Sequence, residues 1–328
     1  MRCLLFSCAL VVFGISAWLQ RFLRHQHDEI ARQPQPFSYE ELMAPLEGAS
    51  HYLRPFPAAT ENPSRVLSVY ASPHGSSGKT IILIHGFKMH ALSWALVWNE
   101  LRRLGHRVIA LDLPGHGQST LSQEALVLSS LSSDIRDVLD FFQVVDGALV
   151  GHSLGSFIAI RYLLDYPDHA QERVSLGFAC VACTAGNWQY FIGGAGGNWH
   201  GNLLMTTGLF DLLMRVDVLA ELLMAKKFSK PSLPAVRVVV GASRVGASRA
   251  ALKAMSDFTW EYDFHPSLST IRIPVVIVIG DLDSHHPHPK MSEALRRDFA
   301  ATGLLRAYVV LKDVGHFMPL MQPIETVR

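Results

Sequence analysis

Residues 147–155 read Gly-Ala-Leu-Val-Gly-His-Ser-Leu-Gly, a short apolar run that closes on Gly-x-Ser-x-Gly. The run at 148–150 suits a strand buried on both faces. After Gly155, the stretch Ser156-Phe-Ile-Ala-Ile-Arg-Tyr-Leu-Leu-Asp-Tyr has a helical pattern that Pro167 stops. Gly151 and Gly155 allow neighbouring backbones to close in, so Ser153 can occupy a strained strand-to-helix turn with its hydroxyl outward. A free serine hydroxyl is a weak nucleophile near neutral pH. A base, an orienting acid and oxyanion donors are therefore expected elsewhere in the chain.

Three more apolar runs end in turn-forming residues. Residues 79–84 (Lys-Thr-Ile-Ile-Leu-Ile) run into His85-Gly86-Phe87, and residues 107–113 (Arg-Val-Ile-Ala-Leu-Asp-Leu) run into Pro114-Gly-His-Gly-Gln-Ser. Residues 274–279 (Pro-Val-Val-Ile-Val-Ile) run into Gly280-Asp-Leu-Asp283. With His85-Gly86, Asp112-Leu-Pro-Gly-His-Gly, Gly151-His-Ser-Leu-Gly155, Gly280-Asp-Leu-Asp283 and Gly315-His316 in that order, the chain resembles the α/β-hydrolase family over residues 64–322. The resemblance implies an α/β fold with a mostly parallel central sheet flanked by helices. It also implies a helical cap inserted before the strand that carries the catalytic acid.

His316 is the candidate base. It follows a strand-like run at 307–311, and an imidazole can take the serine proton and return it to a leaving group. The chain holds 16 histidines, so position decides and residue type does not. In the family's Gly-x-x-Asp pattern the orienting acid falls on Asp283, with Asp281 as the competitor. The order Ser153, Asp283, His316 is the one this fold uses. The oxyanion hole is expected from the backbone N–H groups of Leu154 and Phe87. Asp112, His116 and His152 fit structural roles better than catalytic ones. No cofactor is required, and there is neither a phosphate-binding loop nor a dinucleotide fingerprint.

The net charge of +1 and the 17% content of charged residues give no reason to expect nucleic acid. Cys180 and Cys183 form Cys-x-x-Cys in a strand-like stretch. With no second ligand pair, packing is expected there ahead of redox or metal chemistry. Residues 3–19 are almost wholly apolar and flanked by Arg2, Arg21 and Arg24. They suggest a single-pass membrane anchor, with a cleaved secretory signal as the alternative. Residues 1–24 are thus expected as an anchor or signal segment, and the proline-punctuated residues 25–63 as a linker packing partly on the domain. Residues 64–328 are expected as the catalytic domain, with a cap at about 187–260.

Within that cap, Trp188, Trp199, Met205, Leu212, Leu213, Met214, Leu222, Leu223 and Met224 could line an apolar acyl cleft. The glycine-rich stretch at 193–201 could hinge it. The chain departs from the family in the loop Ser284-His285-His286-Pro287-His288-Pro289, where three histidines offer a conceivable metal site. It also ends at Arg328, short of the full helix the family packs after the histidine. The reading implied is a serine hydrolase for apolar or lipid-like carboxylic esters. Carbon–carbon bond hydrolysis, cofactor-free haloperoxidase chemistry and a non-catalytic ligand-binding protein on the same fold are the alternatives.

Overall fold

Strands whose residues are all apolar need cover on both faces, and the sheet is built accordingly. The computed structural model describes residues 20–55, 66–74, 78–121, 126–186, 209–225, 228, 230–245, 249–283 and 290–327. Among them eight strands form one sheet: β1 (Ser50–Arg54), β2 (Leu67–Ala71), β3 (Thr80–Ile84), β4 (Arg107–Leu111), β5 (Gly147–His152), β6 (Gly177–Val181), β7 (Val275–Gly280) and β8 (Leu305–Leu311). Their order is β1-β2-β4-β3-β5-β6-β7-β8. The β1–β2 and β2–β4 pairs are antiparallel, and every pair from β4 to β8 is parallel. This is the α/β-hydrolase architecture expected from the sequence.

Parallel neighbours require crossovers, and helices supply them. In chain order the helices are α1 (20–31), α2 (Tyr39–Leu42), α3 (Ala95–Arg103), α4 (Leu128–Phe141), α5 (Leu154–Asp165) and α6 (Pro167–Arg173). The cap supplies α7 (Leu209–Met214), α8 (Asp217–Ala225), α9 (Leu233–Val245) and α10 (Arg249–Glu261), between β6 and β7. After them come α11 (Lys290–Ala301) and two short helices, α12 (Met318–Met321) and α13 (Pro323–Val327). The period-2 alternation of the strands sorts the core into two layers. Ile82, Ile84, Ile109, Leu149, Phe178 and Ile277 pack with α4 and α5 on one face. Leu83, Val108, Ala110, Val150 and Val278 pack with Trp94, Trp98 and Met318 on the other.

The chain moves from β3 outward to β4, then returns past β3 to β5, so β3 lies between β4 and β5. Such a reversal of strand order leaves a crevice at the carboxyl ends of the strands. The registers Ile84↔Gly151 and His152↔Val181 bring the ends of β3, β5 and β6 level there.

Two expectations about the start of the chain are corrected. The sequence reads residues 25–63 as a linker packing partly on the domain; the described part, 25–55, is more regular than a linker and contains part of α1, the capped helix α2 and the edge strand β1. The strand was hidden because four of its five residues face solvent. Its inward residue, Tyr52, meets Phe141 and Phe142 edge-on at 5.9 and 5.1 Å. The membrane anchor is the second correction. Among the described residues no helix is long and apolar enough to cross a membrane. The stretch at 3–19 on which that expectation rested lies outside the described residues. Helix α1, which follows it, is studded with Arg21, Arg24, His25, His27, Asp28 and Glu29.

Helix α1 is instead strapped to the cap. Ile30 and Leu42 are buried in one cluster with Met214, Met224, Phe228 and Val236. His27 Nε2 pairs with Glu221 on α8, and the same carboxylate takes an N–H from Arg237 on α9 at 2.8 Å. Gln35 Oε1 accepts from Ser232 Oγ at 3.0 Å and from the Leu233 amide at 2.9 Å. Where the chain leaves β6 for the cap insertion, Cys180 and Cys183 are joined as a disulfide, in place of the plain packing the sequence suggests. Both are buried, so the bridge closes the end of β6 from within the core.

Candidate active site

Ser153 follows β5 directly and begins the turn into α5. Its φ of 54° is unusual for a residue other than glycine. The tightness of the turn explains both flanking glycines. A Cβ on Gly151 would stand 2.6 Å from the Ser156 backbone, and one on Gly155 would stand 2.3 Å from the Ile84 carbonyl oxygen. The turn is also pinned from the side, since the Ser153 amide donates to Val181 O on β6 at 2.9 Å.

His316 lies on the loop after β8, and Asp283 on the turn after β7. His316 Nε2 is 2.9 Å from Ser153 Oγ, and His316 Nδ1 is 2.9 Å from Asp283 Oδ2. All three are at most 6% exposed. Because a carboxylate only accepts, Nδ1 carries the hydrogen and Nε2 presents its lone pair to the serine O–H. The three residues singled out in the sequence are thus brought into one relay. Asp281, the competing acid, turns away: its carboxylate faces Lys312 at 3.7 Å.

Phe87 begins the turn after β3, and Leu154 is the first residue of α5, next to the serine. Neither amide finds a backbone acceptor among the described residues. Both are therefore available to an oxyanion lodged between the ends of β3 and β5.

Two buried histidines tie this rim together without facing the serine. The Leu113 amide donates to His85 Nε2 at 2.9 Å, and the Lys88 amide donates to His116 Nε2 at 3.3 Å. Their Nδ1–H groups point to the carbonyls of Gly86 and Pro114. Burial, together with neighbouring histidine charge, holds both imidazoles well below the usual range, at about 3. They are neutral struts. Asp112 is structural as well: its carboxylate takes the amides of Ala91 at 2.7 Å and Gln118 at 3.0 Å. A second relay runs from Tyr162 to His169 to Asp140, with contacts of 2.7 and 3.0 Å. Burial pushes the Tyr162 phenol far above its usual range, so its O–H remains a donor and not a nucleophile.

Over the rim, Phe317 lies between base and cap. Its ring is 5.4 Å from that of His316 and 4.6 Å from that of Phe228. Of the expected cap residues, Met214 and Met224 are buried in the cluster that contains Phe317. Leu222 and Leu223 pack on that cluster partly buried, Leu213 is half-buried, and Leu212 is exposed. Trp188, Trp199, Met205, His285, His286 and His288 lie outside the described residues. Phe317 went unnoticed in the sequence, where adjacency to His316 was its only signal.

The sequence pattern of the alpha/beta hydrolase fold family matches residues 79–321. The chain belongs to that family. Relatives within the alpha/beta hydrolases carry several chemistries in their names. Epoxide hydrolase 4 of Mus musculus is 35% identical over 107 residues, 32% of this chain and 30% of its own. A putative non-heme chloroperoxidase of Synechocystis is 24% identical over 70% of this chain and 82% of its own. The crystallised esterase from Exiguobacterium antarcticum aligns over 80% of this chain and 92% of its own, with 21% identity and a TM-score of 0.67, and so shares the fold. The chain spans 30–40% of the length of several curated relatives that it matches. In this alpha/beta hydrolase a hydroxyl, an imidazole and a carboxylate in series can move a proton off Oγ while a carbon centre is attacked.

Proposed function

We propose that the protein is a serine hydrolase of carboxylic esters with apolar or lipid-like acyl groups. The observation that carries the reading is the unbroken series from Ser153 Oγ to His316 Nε2 and from His316 Nδ1 to Asp283, with 2.9 Å at each link. His316 accepts the serine proton as Oγ attacks the ester carbonyl. The Phe87 and Leu154 amides take up the charge that develops on the carbonyl oxygen. Collapse of the tetrahedral intermediate expels the alcohol, which receives the proton from His316. Water then enters, gives a proton to the same imidazole, and releases the acid and the free serine. Asp283 keeps the imidazole in the Nδ1–H tautomer and stabilises its cation.

An ester is favoured over an epoxide because the nucleophile position holds a serine, whereas epoxide hydrolysis on this fold uses a carboxylate. The apolar acyl preference is supported by the apolar packing of the cap, in which Phe228, Met214 and Met224 share one buried cluster with Phe317, the neighbour of His316. The test uses a fluorophosphonate probe and a panel of p-nitrophenyl esters of increasing acyl length. Labelling at Ser153, a burst of nitrophenol and a rate that rises with chain length are expected, with all three absent in Ser153→Ala. Labelling that persists in Ser153→Ala would overturn the assignment of the nucleophile. Saturable binding of an apolar ligand without turnover would overturn the enzyme reading, and a sharp optimum at acetate would overturn the lipid-like substrate.

A further inference from the structure

His152 immediately precedes the nucleophile, and its side chain reaches the base from behind. It is 1% exposed, and its Nε2 lies 2.9 Å from the main-chain oxygen of His316. A carbonyl oxygen can only accept, so this nitrogen carries the hydrogen and the ring is the Nε2–H tautomer. Its ring centroid lies 5.1 Å from that of His316 and 5.9 Å from that of Phe317. On its other side, the ring fills the space that a side chain at residue 86 would need. A Cβ on Gly86 would stand 2.7 Å from His152 Nδ1. Gly86 immediately precedes Phe87, whose amide is one of the two proposed oxyanion donors.

We propose that His152 is a positioning residue that sets the height of the His316 imidazole over Ser153. The proposal rests on the serine-hydrolase reading of the site. The loop carrying His316 is tied on two sides by residues adjacent to its two partners. On the acid side, the amide of Leu282, the neighbour of Asp283, donates to Val314 O at 3.1 Å. On the nucleophile side, the ring of His152, the neighbour of Ser153, donates to His316 O. Each partner of the imidazole is thereby fixed relative to the main chain that bears it. The second tie matters because a base must sit within hydrogen-bond reach of Oγ as the proton moves. A displacement of about 1 Å in such a group costs roughly 10²-fold in rate. The same ring, wedged against Gly86, ties the oxyanion turn to the nucleophile and base.

Three substitutions and one spectrum test this. His152→Leu keeps the bulk and removes the donor. His152→Gln carries an N–H out to about the reach of Nε2, whereas His152→Asn is too short. In His152→Leu, kcat and the fluorophosphonate labelling rate at Ser153 are expected to fall together by roughly 10²-fold while KM stays within about two-fold. His152→Gln is expected to recover most of that loss and His152→Asn little of it. The Gln–Asn comparison does not require that the leucine variant fold. A leucine variant within about three-fold of the parent, or a glutamine variant no better than asparagine, would overturn the proposal. In the parent, imidazole 15N spectra should report His152 as the Nε2–H tautomer, and an Nδ1–H tautomer would overturn the clamp. If Ser153 of the parent took no label and no ester turned over, the hydrolase reading would fall, and the tautomer would still decide whether His152 holds the loop.

Discussion

Replacing Gly155 by alanine tests the geometry of the site without touching a reacting group. The added methyl would lie 2.3 Å from Ile84 O, 2.6 Å from His85 O and 2.8 Å from Ile84 C, against a floor near 3.0 Å for real Cβ contacts. All three obstacles are main-chain atoms at the end of β3, so no rotamer can relieve the overlap. The start of α5 and the end of β3 must part by about 1 Å, with a cost of about 1–3 kcal/mol in overpacking. The Leu154 amide rides on the first element and the Phe87 amide follows the second. The same 1 Å therefore spreads the proposed oxyanion donors, and loss of one such donor costs about 10²–10³-fold in kcat. The assay pairs ester kinetics with thermal unfolding. A fall in kcat of that size, a KM within about two-fold and a midpoint lowered by several degrees are expected. Gly241→Ala is the matched control. Among the described residues its methyl would meet only Tyr39 Oη, at 3.9 Å, so the better helix former should stabilise α9 by about 0.5–1 kcal/mol and leave kcat unchanged. A Gly155→Ala enzyme with parental kcat and parental midpoint would refute the reasoning.

Other outcomes follow from the same geometry. Asp283→Asn should lower kcat by about 10⁴-fold through the wrong imidazole tautomer. Asp281→Asn should stay within a few-fold of the parent, and steady-state kinetics on the pair would exchange these roles if the acid were misassigned. His85 and His116 titrate near 3 in the fold against 6.5 for the free side chain, so the unfolded chain gains protons first as pH falls. Their stabilising contribution is full above pH 6.5 and is lost progressively toward pH 3, by at most about 1.4 kcal/mol per pH unit for each. Urea unfolding at pH 7, 6, 5 and 4 should show this slope, and it should flatten in His116→Gln; equal slopes in the two proteins would refute the strut role. His27→Ala should leave Glu221 with Arg237 alone and loosen α1 from the cap. Faster hydrogen exchange at 20–31 and in α8 would register it, and unchanged protection would count against the strap.

Strand β5, its elbow and the following helix were legible because a doubly buried strand writes an uninterrupted apolar run and a tight turn writes its glycines. Ser153 and Asp283 were legible as candidates for the same reason, since they lie at or just past the ends of β5 and β7, whereas His316, beyond the part-exposed β8, was legible only from the order of the motifs. Strand β1 was not, because an edge strand with one inward residue leaves no alternation to read. Four of its residues answer to water and only Tyr52 to the core. His152 was classed with packing residues, and the packing was right. What sequence could not convey is the direction of its ring, which is set by a carbonyl 164 residues away. The same holds for Glu221, an acid in the middle of a largely apolar helix until His27 and Arg237 arrive from two other elements.

That last arrangement sets the terms on which this chain can be handled. A biochemist trimming the polar, proline-punctuated stretch before β2 as dispensable would remove α1, α2 and β1 together. The cut would uncover the apolar side of Met224 and Phe228 and strip the histidine from a carboxylate that is 6% exposed. It would also bare the hydrogen-bonding edge of β2 to any passing strand. A shortened protein of that kind should be sticky and poorly active even though every proposed catalytic atom remains. Tags are better carried at positions upstream of residue 20, where they leave His27 and Gln35 in contact with the cap.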